Sequence, residues 1–485
     1  MNENQVDVLI MGAGLSGIGA ACHLEIDCPD KTYLVLESRD AMGGTWDLFR
    51  YPGIRSDSDM YTLGYNFKPW TNPKAIADGE SIREYIKETA AQYGVDSKIR
   101  YSQKVLSANW ISDRAQWRVE VENTKTGATS PYYCNFFLCC SGYYNYAAGY
   151  EPEFKGKERF QGEVIHPQHW PQDLDYSDKN VVIIGSGATA VTLAPSMSNT
   201  AAHVTMLQRS PTYVMTVPEK DVLSSKMREF LPDKWVYRIA RTRNVALSMG
   251  VYNFSRAYPD KMRNFIQKHV ADRIGPNVDM KHFTPDYNPW DQRMCAVPNG
   301  DLFRAIRKGK VSVVTDHIDT FTETGLLLKS GQELEADIIV TATGLDIQLA
   351  GGMELSIDGI PYDPSKKMYY KGLMFEDLPN FGMVFGYTNA SWTLKADLIS
   401  EFVCRLLKYM DKKGVRQVVP RNHKDVQHTP FVDMSAGYIQ RALSKVPKQG
   451  AKAPWKLYQN YVLDLAMLRF GRIADGSLEF GARTK

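Results

Sequence analysis

Val6-Asp-Val-Leu-Ile-Met11-Gly12-Ala-Gly14-Leu-Ser-Gly17-Ile18 opens the first structural unit of the chain, and the fold is read outward from it. An apolar, β-rich run (Val6–Met11) meets a G-x-G-x-x-G turn (Gly12–Gly17), followed by a helix over Ile18–Glu25 and a second strand over Thr32–Glu37. Each glycine has a task. Gly12 makes the tight turn, Gly14 lets the backbone approach a pyrophosphate, and Gly17 lets the helix pack on the strand. The helix N-terminus then faces the phosphate charge. Glu37, closing the second strand, accepts hydrogen bonds from ribose hydroxyls and repels a 2′-phosphate. A glycine loop alone is weak support, but strand, turn, helix and acid in this order predict a dinucleotide site.

The same grammar returns at Asn180–Ile184 (strand), Gly185-Ser-Gly187-Ala-Thr189-Ala190 (turn), Val191–Met197 (helix) and Val204–Leu207 (second strand). Ala190 fills the packing slot, where a small residue is accepted. Here the second strand runs into Gln208-Arg209-Ser210 instead of an acid. A permanently charged, planar guanidinium matches a 2′-phosphate. Thr189, Arg209 and Ser210 are therefore candidate contacts for NADPH rather than NADH. An isolated arginine is usually a solvated surface residue, and only the fingerprint before it gives Arg209 this meaning. Two βαβ units so far apart predict an α/β fold with two Rossmann-like dinucleotide-binding domains.

Between and beyond these units the pattern changes. Residues 221–290 are helical in pattern, basic and aromatic, and read as a helical insertion (Lys226–Phe230, Trp235–Arg241, Arg263–Val270). Strand-like runs resume at Val311–Val314 and Asp337–Thr343, and helices are expected at Ala396–Tyr409 and Tyr458–Arg469. A chain of 485 residues exceeds what one core usually supports. Its net charge of +3 gives no support to bulk nucleic-acid binding. The seven cysteines (Cys22, Cys28, Cys134, Cys139, Cys140, Cys295 and Cys404) form no metal-ligand spacing, so free thiols in a reducing cytoplasm and no metal site are expected. Val6–Leu24 lacks a basic leader and is interrupted by Gly12, Gly14, Gly17 and Gly19, so it is not read as a signal peptide. No apolar stretch reaches the roughly 18 residues a membrane span needs.

Two further segments are more specific than either glycine turn. One is Gly43-Gly44-Thr45-Trp46-Asp-Leu-Phe-Arg-Tyr51-Pro52-Gly53-Ile-Arg-Ser-Asp57, and the other Phe160-Gln-Gly162-Glu-Val-Ile-His166-Pro-Gln-His-Trp170-Pro171. In both, the sequence resembles the type I Baeyer–Villiger monooxygenases of the flavin-containing monooxygenase superfamily, and the resemblance covers nearly the whole chain. Residues 42–64, 287–311 and 386–407 look closest to the ethionamide-activating group, which oxidises linear ketones and thioether or thioamide sulfur. The resemblance assigns FAD to the first turn, with Gly44, Thr45 and Trp46 beside it, and NADPH to the second. With the strand pattern, it implies an FAD-binding domain in residues 1–145 and 346–485, an NADPH-binding domain in 146–218 and 292–345, and the helical insertion in 219–291.

By the same resemblance, Arg293 stabilises the flavin peroxide and contacts the nicotinamide, a fixed cation being a large catalytic term in a dry site. Asp57 resembles the carboxylate that holds this arginine, with Asp59 as an alternative. His166 resembles a hinge element between the two nucleotide domains. Ser141-Gly142, Ala342-Thr343-Gly344 and Asn389–Trp392 look like turns set against the cofactors. One position departs from the pattern: Gln292 stands where the phenylacetone and cyclohexanone monooxygenases carry a lysine that also grips the 2′-phosphate, leaving NADPH preference mainly to Arg209.

The implied activity is insertion of one atom of O2 into a ketone, giving an ester, and oxidation of sulfides to sulfoxides, through a C4a-peroxyflavin. The partners are then a small ketone or sulfide and O2, with no nucleic acid and no stable membrane insertion. Three alternatives stay open. One is an N- or S-oxygenating flavin monooxygenase acting mainly on sulfur, against which Trp170-Pro171 argues. Another is a pyridine-nucleotide disulfide reductase, for which Cys139-Cys140 is a poor candidate pair, and the last is a non-catalytic flavin-binding protein. The basic insertion is expected to wall a substrate tunnel, in preference to lying on a membrane surface as an amphipathic element.

Overall fold

Strands that are apolar without interruption are those covered on both faces, and both expected units are built around such a strand. The computed structural model describes residues 4–292, 294–431 and 437–483. Its first sheet has nine strands, among them β1 (Gln5–Met11), β2 (Tyr33–Leu36), β3 (Ile99–Arg100), β4 (Gln103–Ile111), β5 (Gln116–Asn123) and β6 (Thr129–Cys139). β1 lies parallel between β2 and β6, and β3 extends the parallel edge beyond β2. From β6 the sheet continues antiparallel through β5 to β4. Late in the chain, Glu354–Ile357 joins parallel to β4 and Phe381–Met383 parallel to β6.

The second sheet is parallel throughout, in the order β10-β9-β8-β11-β7, with β7 (Glu163–Ile165), β8 (Asn180–Ile184), β9 (His203–Gln208), β10 (Val311–Thr315) and β11 (Ile338–Thr341). Side-chain alternation sends successive residues to opposite faces. Val181 and Ile183 of β8 therefore pack into one apolar cluster and Val182 and Ile184 into another. In β1, Val8 and Ile10 join the cluster beneath α1 (Leu15–Asp27), while Leu9 joins the one on the other face.

The helices α1 and α2 (Ala188–Met197) begin three residues earlier than the sequence pattern placed them. The last three positions of each fingerprint are already helical, with Gly14 and Gly187 as the capping residues. Residues 221–290 hold a short helix at Val222–Met227, then α3 (Asp233–Ala257) and α4 (Pro259–Ile274), with Pro259 at the first position of the new helix. α5 (Trp392–Lys413) packs on α1. The expected helix over Tyr458–Arg469 is shorter: the Asn460 side chain caps a helix over Tyr461–Leu465, and Ala466–Phe470 follows as a wider π turn. Among the described residues no helix is long and apolar enough to cross a membrane, and no group of His, Cys, Asp and Glu is arranged to hold a metal.

Candidate active site

A cavity of about 570 Å3 runs past the C-terminal ends of β1, β2 and β6, the edge where doubly wound sheets bind their ligands. Its lining includes Gly12, Gly14, Glu37, Gly44, Thr45, Trp46, Asp57 and Ser141–Asn145. Packing here leaves no room for side chains at two of the glycines. Gly12 has φ +102°, and a Cβ there would stand 2.7 Å from the carbonyl oxygen of Cys140. A Cβ on Gly17 would lie 1.8 Å from the carbonyl oxygen of Gly12.

Glu37 is buried, with 4% of its surface exposed. Its Oε2 accepts from the Ala13 N–H at 2.8 Å and its Oε1 from the Arg39 N–H at 2.9 Å. Burial pushes the carboxyl up, against those two donors and the Arg39 charge. The acid expected to meet a ribose thus also holds the glycine turn in shape, a function its sequence position did not disclose.

The second turn is built alike but stands open. A Cβ on Gly185 would lie 2.4 Å from the carbonyl oxygen of Ala342, yet nothing lies within 4 Å of the same point at Gly187. Ala190, in the first turn of α2, is buried. Arg209 and Ser210 follow β9 on the exposed surface, and Arg209 has no ion pair or hydrogen bond among the described residues. Ser186 Oγ donates to the Ser210 carbonyl at 3.1 Å, tying the end of β9 to the turn. Gln292 is half-buried. Arg293 lies outside the described residues, and its pairing with Asp57 with it.

The segment from Gly43 to Asp57 joins the two turns physically. At one end a Cβ on Gly44 would stand 3.0 Å from the Gly14 Cα. Further along, the Tyr51 hydroxyl stands near Thr189 at the start of α2, and a Cβ on Gly53 would meet the Ser196 side chain at 2.8 Å. Asp47 fixes the middle: burial alone would raise its carboxyl, but Arg39, Arg50 and Arg83 hold it below the usual range. Asp59 caps the turn Met60–Leu63 and accepts from Asn244 Nδ2 at 2.8 Å, so it is engaged in holding structure.

His166 follows β7. Its Nδ1 accepts from the Gln168 N–H at 3.2 Å, which leaves Nε2 to donate to the Gly344 carbonyl at 3.3 Å. That pattern is the neutral ring, and burial pushes its pKa down. The ring packs against Gly149, lines neither of the cavities described here, and joins the end of β7 to the end of β11.

A second cavity, of about 660 Å3, shares Asp57, Ser58 and Ala390 with the first. α3 contributes Arg243, Asn244, Leu247 and Ser248, and α5 contributes Leu394. Trp290 and Met294 complete one wall. Trp290 holds a positive φ of 72°, an uncommon conformation for a bulky residue. Its indole Nε1, and Oδ1 of Asn389 in the same cavity, are buried without a hydrogen-bond partner among the described residues. Of the turn expected against a cofactor, Ala390 and Trp392 line the first cavity while Asn389 and Ser391 line the second. Trp392 stacks on Tyr143 at 5.1 Å and donates to Ser16 Oγ at 2.7 Å, a link between α5 and the first turn that nothing local in the sequence signals. Cys139 and Cys140 are buried, and burial pushes both thiols up, away from the reactive thiolate a disulfide reductase needs.

Two glycine-turn cradles, the first of them opening into a cavity at its strand ends, define an oxidoreductase of the two-dinucleotide class. Residues 69–378 match the family described as flavin-binding monooxygenase-like. The chain is 54% identical over 481 residues to the FAD-containing monooxygenase EthA of Mycobacterium tuberculosis (strain ATCC 25618 / H37Rv), covering 99% of this chain and 98% of that protein. It belongs to the flavin-binding monooxygenase-like family and is a flavin monooxygenase, which closes the disulfide-reductase and non-catalytic readings. An open crystal structure of cyclohexanone monooxygenase superposes with a TM-score of 0.78 at 20% identity, covering 99% of this chain and 100% of that one. An oxidised steroid monooxygenase bound to NADP gives 0.77 at 20% identity, covering 98% and 99%. The fold is that of these Baeyer–Villiger enzymes, and the expected α/β architecture with two nucleotide-binding units is borne out.

Proposed function

We propose that this chain is an FAD- and NADPH-dependent monooxygenase that inserts one atom of O2 into ketones, giving esters, and converts sulfides to sulfoxides. The observation that carries the reading is the contrast between the two cradles: a buried Glu37 in the first and, in the second, an exposed Arg209 that has no ion pair among the described residues. Gly12, Gly14, Gly17, Gly44, Thr45 and Trp46 hold FAD, with Glu37 at its ribose. Gly185, Gly187, Thr189, Ala190, Arg209, Ser210 and Gln292 hold NADPH. Bound FAD, reduced by NADPH, supplies the activation of O2.

The protein's own part is position, charge and exclusion of water. Arg293, assigned by its motif, is the fixed cation, and Asp57, in the wall shared by both cavities, is its counter-ion. Leu247, Leu394 and Met294 give the substrate an apolar wall, while the Trp290 N–H and Asn389 Oδ1 offer it one donor and one acceptor. His166 stays neutral and acts as a hinge contact, a positioning role. The domain division given above is kept as part of this reading, as is the reducing cytoplasm, which seven free cysteines support.

Purified holoenzyme supplied with NADPH, O2 and either a linear ketone or a dialkyl sulfide tests the reading. Ester and sulfoxide are expected, each matched by one NADPH. Sulfoxide without any ester would place the chain among the sulfur-oxygenating enzymes instead. NADPH oxidation that neither substrate draws into product would contradict the proposal.

A further inference from the structure

The helices of residues 222–274 have an inner face that is engaged with the rest of the chain and an outer face that is not. Inside, α3 is anchored by Arg241, which donates to the carbonyls of Tyr61 and Gly64 and pairs with Asp397 at 3.1 Å. Outside, residues 222–265 carry eleven of the sixteen exposed large apolar side chains found among the described residues. Phe230 is 82% exposed, Trp235 56% and Phe265 56%. Leu247, Val251 and Phe254 follow i, i+4, i+7 and so share one face of α3, with exposed Tyr258 at its C-terminal cap. A patch of this kind on a folded protein marks an interaction surface.

Charge says what covers it. Five of the nine Lys and Arg in residues 222–265 are ion-paired (Arg228, Arg241, Arg243, Arg256 and Arg263). That leaves Lys226, Lys234, Arg238 and Lys261 without an ion pair among the described residues, against Glu229 as the one acid of the segment in the same position. Lys226, Lys234, Arg238 and Lys261 are exposed among the apolar residues. Arg238 lies 5.6 Å from the Trp235 ring and Lys261 Nζ 4.9 Å from the Tyr258 ring, so cations and aromatics stand side by side. A second copy of the chain docked by a twofold axis would set this positive surface against itself. An anionic lipid headgroup layer does not, and apolar side chains ringed by Lys and Arg are what such a layer takes up. The patch also reaches the second cavity, because Val222 (65% exposed) and Leu247 (59% exposed) belong to both.

We infer that the outer face of residues 222–265 docks on an anionic membrane surface, without crossing it, and that the second cavity opens towards the lipid. The value of this placement for apolar substrates rests on the monooxygenase reading; the docking itself does not. Holoenzyme mixed with vesicles of equal parts phosphatidylglycerol and phosphatidylcholine is expected to co-sediment with them, and to bind pure phosphatidylcholine vesicles far less. Raising ionic strength from about 0.05 M to about 0.5 M should release most of it. Lys234→Glu with Arg238→Glu should lower partitioning by about tenfold or more, and Trp235→Ser with Phe254→Ser by about tenfold. Both double variants should keep wild-type flavin content and NADPH turnover on a water-soluble sulfide, which shows that they fold. Absence of binding to the anionic vesicles at low salt would overturn the inference. So would a stable dimer in light scattering that either double variant converts to monomer.

Discussion

The two glycine turns share a pattern and differ in enclosure. In the first, Gly17 has no space for a methyl group and Glu37 is locked beneath the turn by two backbone N–H groups. In the second, Ala190 is accommodated, Gly187 faces open space and the cation after the strand is exposed. The same local grammar therefore builds one enclosed cradle and one open one. On the proposed reading, this separates a nucleotide kept through many turnovers from one that must leave and return. The segment from Gly43 to Asp57 packs against both nucleotide units and so links them.

The contrast can be broken at either end. Gly17→Val should act most severely, because even a methyl group has no room there; the purified protein is expected to carry no flavin, and full flavin content would refute the enclosed cradle. Arg209→Ala should raise KM for NADPH by about 10- to 100-fold, the loss of a charge-assisted contact, while KM for NADH stays put. Equal effects on both coenzymes would remove Arg209 from the 2′-phosphate. Glu37→Gln keeps the shape but weakens the hold on Ala13 and on a ribose, so flavin should dissociate about tenfold faster. NADPH affinity should not change, since the residue lies in the other cradle.

A smaller effect is expected from beneath the first cradle. His23 on α1 is buried; burial opposes its charge, but Asp27 and Asp397 push its pKa up to about 9. A group raised in the folded state stabilises fully below its ordinary value of about 6.5. That contribution is lost as pH rises through about 9. The wild-type melting temperature should therefore fall over this window, and His23→Gln should flatten the fall. An unchanged slope would show that His23 is not charged in the folded chain.

Much of this was legible because it is local. Asn180–Ile184 lies where its pattern placed it, since strand, turn and helix together occupy one short stretch with its own periodicity. Glu37 and Arg209 stand out in the sequence because each follows the second strand after a glycine turn. What was not legible joins distant parts of the chain. The antiparallel β4–β6 ladder and the return of Glu354–Ile357 to β4 are set by pairing partners, not by any motif. Arg241, Asp397 and His23 meet in the core from three helices, and only their shared burial makes them a unit. Sequence alone leaves Asp59 as an alternative to Asp57, yet Asp59 is a helix cap and Asp57 lines both cavities.

The claim that the two cradles together serve an oxygenase is tested most directly with isotopic oxygen. Holoenzyme turning over a linear ketone with NADPH under 18O2 is predicted to give an ester carrying one labelled oxygen atom for each NADPH consumed, with the other labelled atom in water. An unlabelled product, or NADPH consumed with all the label in hydrogen peroxide whatever ketone or sulfide is supplied, would contradict it.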